Sequence, residues 1–275
     1  MTSREIQEQT VQLDDVDLHV ATAGVPSSPP LLLLHGLYDR WESWDSVVRA
    51  FAPHYHVLAP DLRGHARSSK PQSNYDPQDY TRDLIGLLDQ MNVDQVVVIG
   101  HSLGALVGQF LAANAPERVR ALVMVDPPFE QTDGTRAWLE ILLDAKRGDV
   151  THTYETVKEL NILQGDEREW RRQTDWLRET ADGPFEAMIT MIDDGRAAQL
   201  YEVLRRVTCP TLLLQADPSN GGALSDAGAN LALEHLQNGT HRKVDDTGHS
   251  IHIERPDEFV EIVTGFASDV FQATE

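Results

Sequence analysis

The segment Val96-Val97-Val98-Ile99-Gly100-His101-Ser102-Leu103-Gly104 constrains this chain more than any other. Four β-branched residues in a row read as a strand buried on both faces. Residues 105–113 read as a helix. A strand that passes into a helix through Gly-x-Ser-x-Gly makes a sharp, crowded turn with the serine at its apex. Glycine is needed on both sides because a side chain there would clash with its neighbours. Such a turn lifts the hydroxyl out at the carboxyl end of a sheet. The helix amino end behind it stabilises developing negative charge. A bare Gly-x-Ser-x-Gly arises by chance in roughly one in ten chains this long. The strand before it and the helix after it give the motif its weight.

The rest of the chain repeats that strand–helix rhythm. Residues 10–13 and 16–23 alternate apolar and polar, like two antiparallel edge strands. Residues 31–34, 55–59, 96–99, 119–125, 211–215 and 241–244 read as further strands. Helices are expected at 44–51, 77–91, 103–114, 227–236 and 257–271. From 129 to 206 no strand is evident. Helical segments are expected there at 135–146, 154–162, 166–179, 186–192 and 196–207. Alternating strands and helices imply a mostly parallel sheet covered on both faces. The expected organisation is an α/β core of residues 1–128 and 207–275, with residues 129–206 inserted as a helical cap, or lid.

Composition narrows the class of partner. The chain has 275 residues, enough for one substantial α/β domain with an insertion. It carries 44 Asp and Glu against 23 Lys and Arg, a formal net charge of −21. That balance disfavours nucleic acid and anionic membrane surfaces as partners. No apolar stretch is long enough for a membrane span, and residues 1–15 lack an apolar signal core. Cys209 is the single cysteine, which rules out an intrachain disulfide and a thiolate metal cluster. Before Pro210 it reads as a small buried filler. A soluble cytoplasmic protein with no metal and no cofactor is expected.

A serine at neutral pH is a poor nucleophile without a base. His249, in Asp246-Thr247-Gly248-His249-Ser250, lies in a glycine-containing loop after the last strand, at the same sheet edge as Ser102. His252 is its nearest rival, and His101 is expected to point away from the reacting atom. The imidazole in turn needs a carboxylate to hold its tautomer. Asp126 and Asp217 both end strands, and either could equally be an Asx-type cap on a turn before proline. An oxyanion needs two backbone donors. Leu103 N–H follows the nucleophile. Leu37 N–H lies in the turn His35-Gly36-Leu37-Tyr38 after residues 31–34.

These residues resemble the α/β-hydrolase superfamily over nearly the whole chain. Besides Gly100–Gly104 and His35-Gly36, the resemblance rests on Pro60-Asp61-Leu62-Arg63-Gly64-His65-Ala66-Arg67-Ser68, with Ala66 where glycine is usual. It implies the α/β-hydrolase fold, with an eight-stranded, mostly parallel sheet and a helical cap. Haloalkane dehalogenases and epoxide hydrolases of this superfamily use an aspartate nucleophile, whereas this chain has Ser102. Members whose acid follows the seventh strand show Gly-x-x-Asp. Counted from Ala216, that frame falls on Ser219, with Asp217 two residues early. Other members take the acid from the end of the sixth strand, where Asp126 stands. Asp126 is therefore the favoured acid, with Asp217 as the alternative.

The implied chemistry is acyl transfer through an acyl-enzyme on a medium-sized apolar ester or lactone. His35, Tyr38, Trp138 and Trp176 are candidate substrate-binding residues. Trp41, Trp44 and Trp170 are further aromatics near the loop or cap. Thioester cleavage and carbon–carbon hydrolysis are alternatives on the same fold. A small-molecule receptor with little turnover is the alternative outside enzymes.

Overall fold

A computed structural model describes residues 5–160 and 165–272. Its strands are β1 (Gln7–Gln12), β2 (Asp17–Ala23), β3 (Pro30–Leu34), β4 (His56–Pro60), β5 (Val96–His101), β6 (Val119–Val125), β7 (Thr211–Gln215) and β8 (Gly239–Lys243). They form one sheet in the order β1-β2-β4-β3-β5-β6-β7-β8. The pairs β1–β2 and β2–β4 are antiparallel, and every other pair is parallel. The expected eight-stranded, mostly parallel sheet is therefore what forms. Two strands shift in register from their expected positions. β1 begins earlier than residue 10, and β8 lies at 239–243, where its exposed, polar edge position leaves little apolar signal.

The helices are α1 (Asp45–Phe51), α2 (Pro77–Gln90), α3 (Leu103–Asn114), α4 (Asp133–Arg147), α5 (Val150–Leu160), α6 (Glu167–Glu179), α7 (Gly183–Asp193), α8 (Gln199–Leu204), α9 (Asp226–His235), α10 (Ile251–Glu254) and α11 (Pro256–Gln272). Two hydrophobic layers sandwich the sheet. Leu32 and Leu34 of β3 face Leu84, Leu88 and Leu106 of α2 and α3. Leu31 and Leu33 face Val47 and Val48 of α1 and Phe259 and Val263 of α11. This alternation explains why β3 is an unbroken run of leucines.

Between β6 and β7 the described residues form helices joined by turns and loops, with no strand. Thr132 caps α4 by accepting from Thr135 N–H, and Asp166 caps α6 by accepting from Arg168 and Glu169 N–H. α4 packs on α7, and α5 on α6. The helix expected at 196–207 splits into a 3-10 turn, Arg196–Ala198, and the short α8. The last positions of the helix expected at 154–162 lie outside the described residues. Salt bridges tie this segment to the rest of the molecule, Arg40 to Glu179 at 2.7 Å and Arg196 to Asp76 at 3.2 Å. Among the described residues no helix is long and apolar enough to cross a membrane.

Candidate active site

β5 delivers Ser102 to the carboxyl edge of the sheet, and α3 begins at the next residue. Ser102 sits at φ 51°, ψ −115°, in the left-handed half of backbone space that non-glycine residues rarely occupy. The turn is held by Ser102 N–H donating to Val125 O at 3.0 Å and by Ala105 N–H donating to Ser102 O at 3.0 Å. The flanking glycines are obligatory. A Cβ on Gly100 would stand 2.2 Å from Gly104 O, and one on Gly104 would stand 2.1 Å from Leu34 O. Ser102 is half-buried while its neighbours on both sides are buried. As first residue of α3, Leu103 has an N–H with no acceptor inside the helix.

His249 Nδ1 donates to Asp126 Oδ2 across 2.6 Å. Asp126 is fully buried at the end of β6, with φ 45°. The other hydrogen bonds to its carboxylate all come from the chain after β7. Ala216 N–H donates to Oδ1 at 3.2 Å, Leu224 N–H to Oδ1 at 3.3 Å, and Ala223 N–H to Oδ2 at 2.7 Å. The loop between β7 and α9 thus wraps a buried carboxylate in N–H donors. Asp217 is engaged elsewhere. Its Oδ1 accepts from Ser219 N–H and Oγ–H at 2.9 and 2.8 Å, and its Oδ2 accepts from Asp246 N–H at 3.3 Å. It is an Asx-type cap on the 3-10 turn Pro218–Asn220, and those hydrogen bonds, led by that from the Ser219 hydroxyl, hold its carboxyl below the usual carboxylate range.

Ser102 and His249 open onto one cavity of about 410 Å³, a size typical of small-molecule sites. Leu37, Tyr38, Trp138, Trp176 and Met188 contribute much of its apolar wall. The Tyr38 and Trp138 rings lie 6.5 Å apart. Trp176 is flanked by the guanidinium groups of Arg40 and Arg172, at 5.1 and 4.7 Å from the ring centroid. Trp41 and Trp44 are buried in the layer beneath α1 instead, and Trp170 packs against the other hydrophobic layer without reaching the cavity.

His35 does not line this cavity, contrary to its expected role in binding substrate. It is fully buried, and both ring nitrogens are occupied. Nδ1 donates to Gly36 O at 2.8 Å, and Nε2 accepts from Leu62 N–H at 2.9 Å. Burial first, and then the neighbouring His65, hold its pKa well below the ordinary histidine value, so the ring is neutral. It braces the turn that carries Leu37 against the loop after β4. In that loop Ala66 adopts φ 39°, the conformation for which glycine is better suited.

His101 is buried beside His249. It lines the cavity, and its Nε2 donates to His249 O at 3.1 Å. Its ring centroid is 4.5 Å from that of His249 and 4.7 Å from that of His252. Burial holds the pKa of both His101 and His252 down, the latter to about 3. Asp39 lines the cavity as well, and burial pushes its carboxyl up to about 7. No local sequence pattern marks Asp39 or Met188. Each reaches the cavity from a segment that carries no catalytic motif.

The strand order, with two antiparallel strands at one edge and a strand–serine–helix turn at the centre, defines the class as an α/β-hydrolase fold. The chain belongs to the alpha/beta hydrolase family, whose sequence profile matches residues 31–262. A protein from Siraitia grosvenorii named epoxide hydrolase 2 is 36% identical over 49% of this chain and 45% of its own length. The alignments with such curated relatives span about half of each relative. Solved structures match over nearly the full chain. An esterase from Rhodococcus superposes with TM-score 0.81 at 23% identity, covering 96% of this chain and 99% of that one. The enol-lactonase from Burkholderia xenovorans gives TM-score 0.79 at 21% identity, covering 94% and 100%.

Proposed function

We propose that this chain is a serine hydrolase that cleaves a medium-sized apolar ester or lactone through an acyl-enzyme. The observation that carries the reading is the 2.6 Å hydrogen bond from His249 Nδ1 to the buried Asp126, beside the cavity onto which Ser102 opens. With its proton held on Nδ1, the imidazole has Nε2 free as a base. His249 removes the Ser102 proton as the hydroxyl attacks the carbonyl carbon. Leu37 and Leu103 N–H donate to the oxyanion. His249 then protonates the leaving alcohol and later activates the water that releases the acid. In a lactone, acid and alcohol leave as one molecule.

The epoxide-hydrolase names among the sequence relatives pull the other way, and the chemistry of Ser102 weighs against them. A serine oxygen that opened an epoxide would form an ether. An ether has no carbonyl for water to attack, so the enzyme would not turn over. An acyl-serine ester has that carbonyl. The apolar, aromatic wall formed by Leu37, Tyr38, Trp138 and Trp176 supports an uncharged substrate.

The test is a substrate panel of aryl esters, lactones, acyl thioesters and a styrene-type epoxide, run with wild type and Ser102→Ala. Multiple turnover of an ester or lactone, lost by at least ~10⁴-fold in Ser102→Ala, is expected. Near-wild-type hydrolysis by Ser102→Ala would sink the reading. A single slow turnover that leaves a stable adduct would favour a receptor instead.

A further inference from the structure

Behind the catalytic histidine lies a cluster that the hydrolytic steps leave unused. Asp39, His101 and His252 each offer a ligand atom, and these atoms lie within 4.8 Å of one another. The three come from the turn after β3, the end of β5 and α10, so no spacing in the sequence announces them. We propose that they form a binding site for one divalent transition-metal ion of the Zn²⁺ type, with an open coordination position toward the substrate cavity.

Four observations support the fit. His101 Nδ1 and both ring nitrogens of His252 are buried without a hydrogen-bond partner in the protein. Buried polar atoms normally find partners, and one nitrogen from each of these adjoining rings is open to a metal ion. Second, the tautomer of His101 is right for coordination. Its Nε2 faces the carbonyl of His249, which can only accept, so Nε2 carries the proton and Nδ1 presents a lone pair. A metal-bound imidazole commonly directs its other N–H to a backbone carbonyl in this way.

Third, the ring of His252 is fixed without using its nitrogens. It stacks on Trp44 with centroids 4.0 Å apart and planes at 29°. Fourth, glycine keeps the position beside this nitrogen free of a side chain. Gly36 has no side chain, and a Cβ there would stand 2.9 Å from His101 Nδ1. Asp39 completes the set with a carboxylate whose Oδ1 accepts from Arg40 N–H at 2.8 Å.

Two imidazoles and one carboxylate suit Zn²⁺ and its neighbours rather than Ca²⁺ or Mg²⁺, which prefer all-oxygen shells. Bonds of about 2.1 Å in a tetrahedron place ligand atoms ~3.4 Å apart, so the cluster closes by roughly 1 Å on binding. Asp39 and His101 both line the cavity, which leaves the fourth position to water or substrate. The ligand set includes neither Asp126 nor the His249 side chain, so metal binding can be measured without hydrolysis.

The experiment titrates the full chain, freed of metal by chelation and dialysis, with Zn²⁺ in a calorimeter and with Co²⁺ in a visible spectrometer. Ser102→Ala is titrated alongside as a hydrolytically silent protein. One equivalent bound by both, d–d bands for Co²⁺ and a raised melting temperature are expected. Asp39→Asn and His252→Gln should each weaken binding at least tenfold, and His249→Ala should retain it. Should His252→Gln fail to fold, Asp39→Asn, changed by a single atom at the cavity wall, decides alone. Absence of binding to wild type, binding unaltered in Asp39→Asn, or binding lost in His249→Ala would each overturn the proposal. None of these readouts depends on ester turnover.

Discussion

His249 and Asp126 stand 123 residues apart in the chain and meet in a 2.6 Å hydrogen bond. Every other contact on the Asp126 carboxylate is also an N–H donor, from Ala216, Ala223 and Leu224. An amide at this position therefore fails in either orientation, because its NH₂ group meets a donor on one side or the other. Asp126→Asn is expected to lower kcat by ~10³–10⁴-fold, as loss of the orienting carboxylate leaves the imidazole in the wrong tautomer. Asp217→Asn, which disturbs only the cap on the turn at Ser219, should stay within about two-fold of wild type. Steady-state rates on one chromogenic ester compare the two. A large loss in Asp217→Asn with Asp126→Asn intact would reverse the assignment.

The turn at Ser102 supplies a stability test built on two glycines. A Cβ on Gly104 would meet Leu34 O at 2.1 Å, a backbone atom of the central sheet that cannot step aside. Gly104→Ala should destabilise the fold by at least ~3 kcal/mol, or displace α3 and abolish activity. Gly265, in α11, is exposed and has nothing within 4 Å of its would-be Cβ. Gly265→Ala should stabilise by about 0.5–1 kcal/mol through the lower entropy of the unfolded chain and better helix propensity. Urea midpoints for the two variants should move in opposite directions. A shift of the same sign in both would refute the steric argument.

How much was legible in the sequence differs between these places for physical reasons. Strands buried on both faces, such as the leucines of β3 and the valines of β5, announce themselves because burial demands continuous apolar runs. β8 does not, since an exposed edge strand has little apolar burial to encode. Ser102 is legible because its turn tolerates only glycine at two fixed positions. For Asp126 the sequence offers only a place at a strand end, which Asp217 shares. What separates them is the loop at Ala223 and Leu224, which folds its N–H groups onto one carboxylate and not the other. His35 misleads for a related reason. A histidine before a glycine says nothing about which side its ring takes, and here it turns inward to brace two loops. The cavity wall is legible only in its aromatics, Tyr38, Trp138 and Trp176, because Asp39 and Met188 join them from segments whose local patterns encode only a turn and a helix.

That brace gives the protein an acid limit. His65 packs edge-on against His35 with centroids 5.0 Å apart, and its Nδ1 donates to Arg63 O at 2.9 Å. Burial is the main force that drives its pKa from 6.5 down to about 4, and His35 is shifted the same way. A group whose folded pKa is depressed in this sense takes up its proton more readily in the unfolded chain. Its contribution is fully present above pH 6.5 and is lost as pH falls from there toward 4. For His65 the loss between pH 7.5 and pH 5 is about 2 kcal/mol. His65→Asn keeps an amide donor for Arg63 O but does not titrate. Its unfolding free energy in urea should therefore fall less steeply over that interval than that of wild type. Because His35 holds the turn bearing Leu37, ester hydrolysis in wild type should fail alongside stability at acid pH and return on neutralisation. Identical pH slopes for wild type and His65→Asn would show that the buried pair does not set the limit.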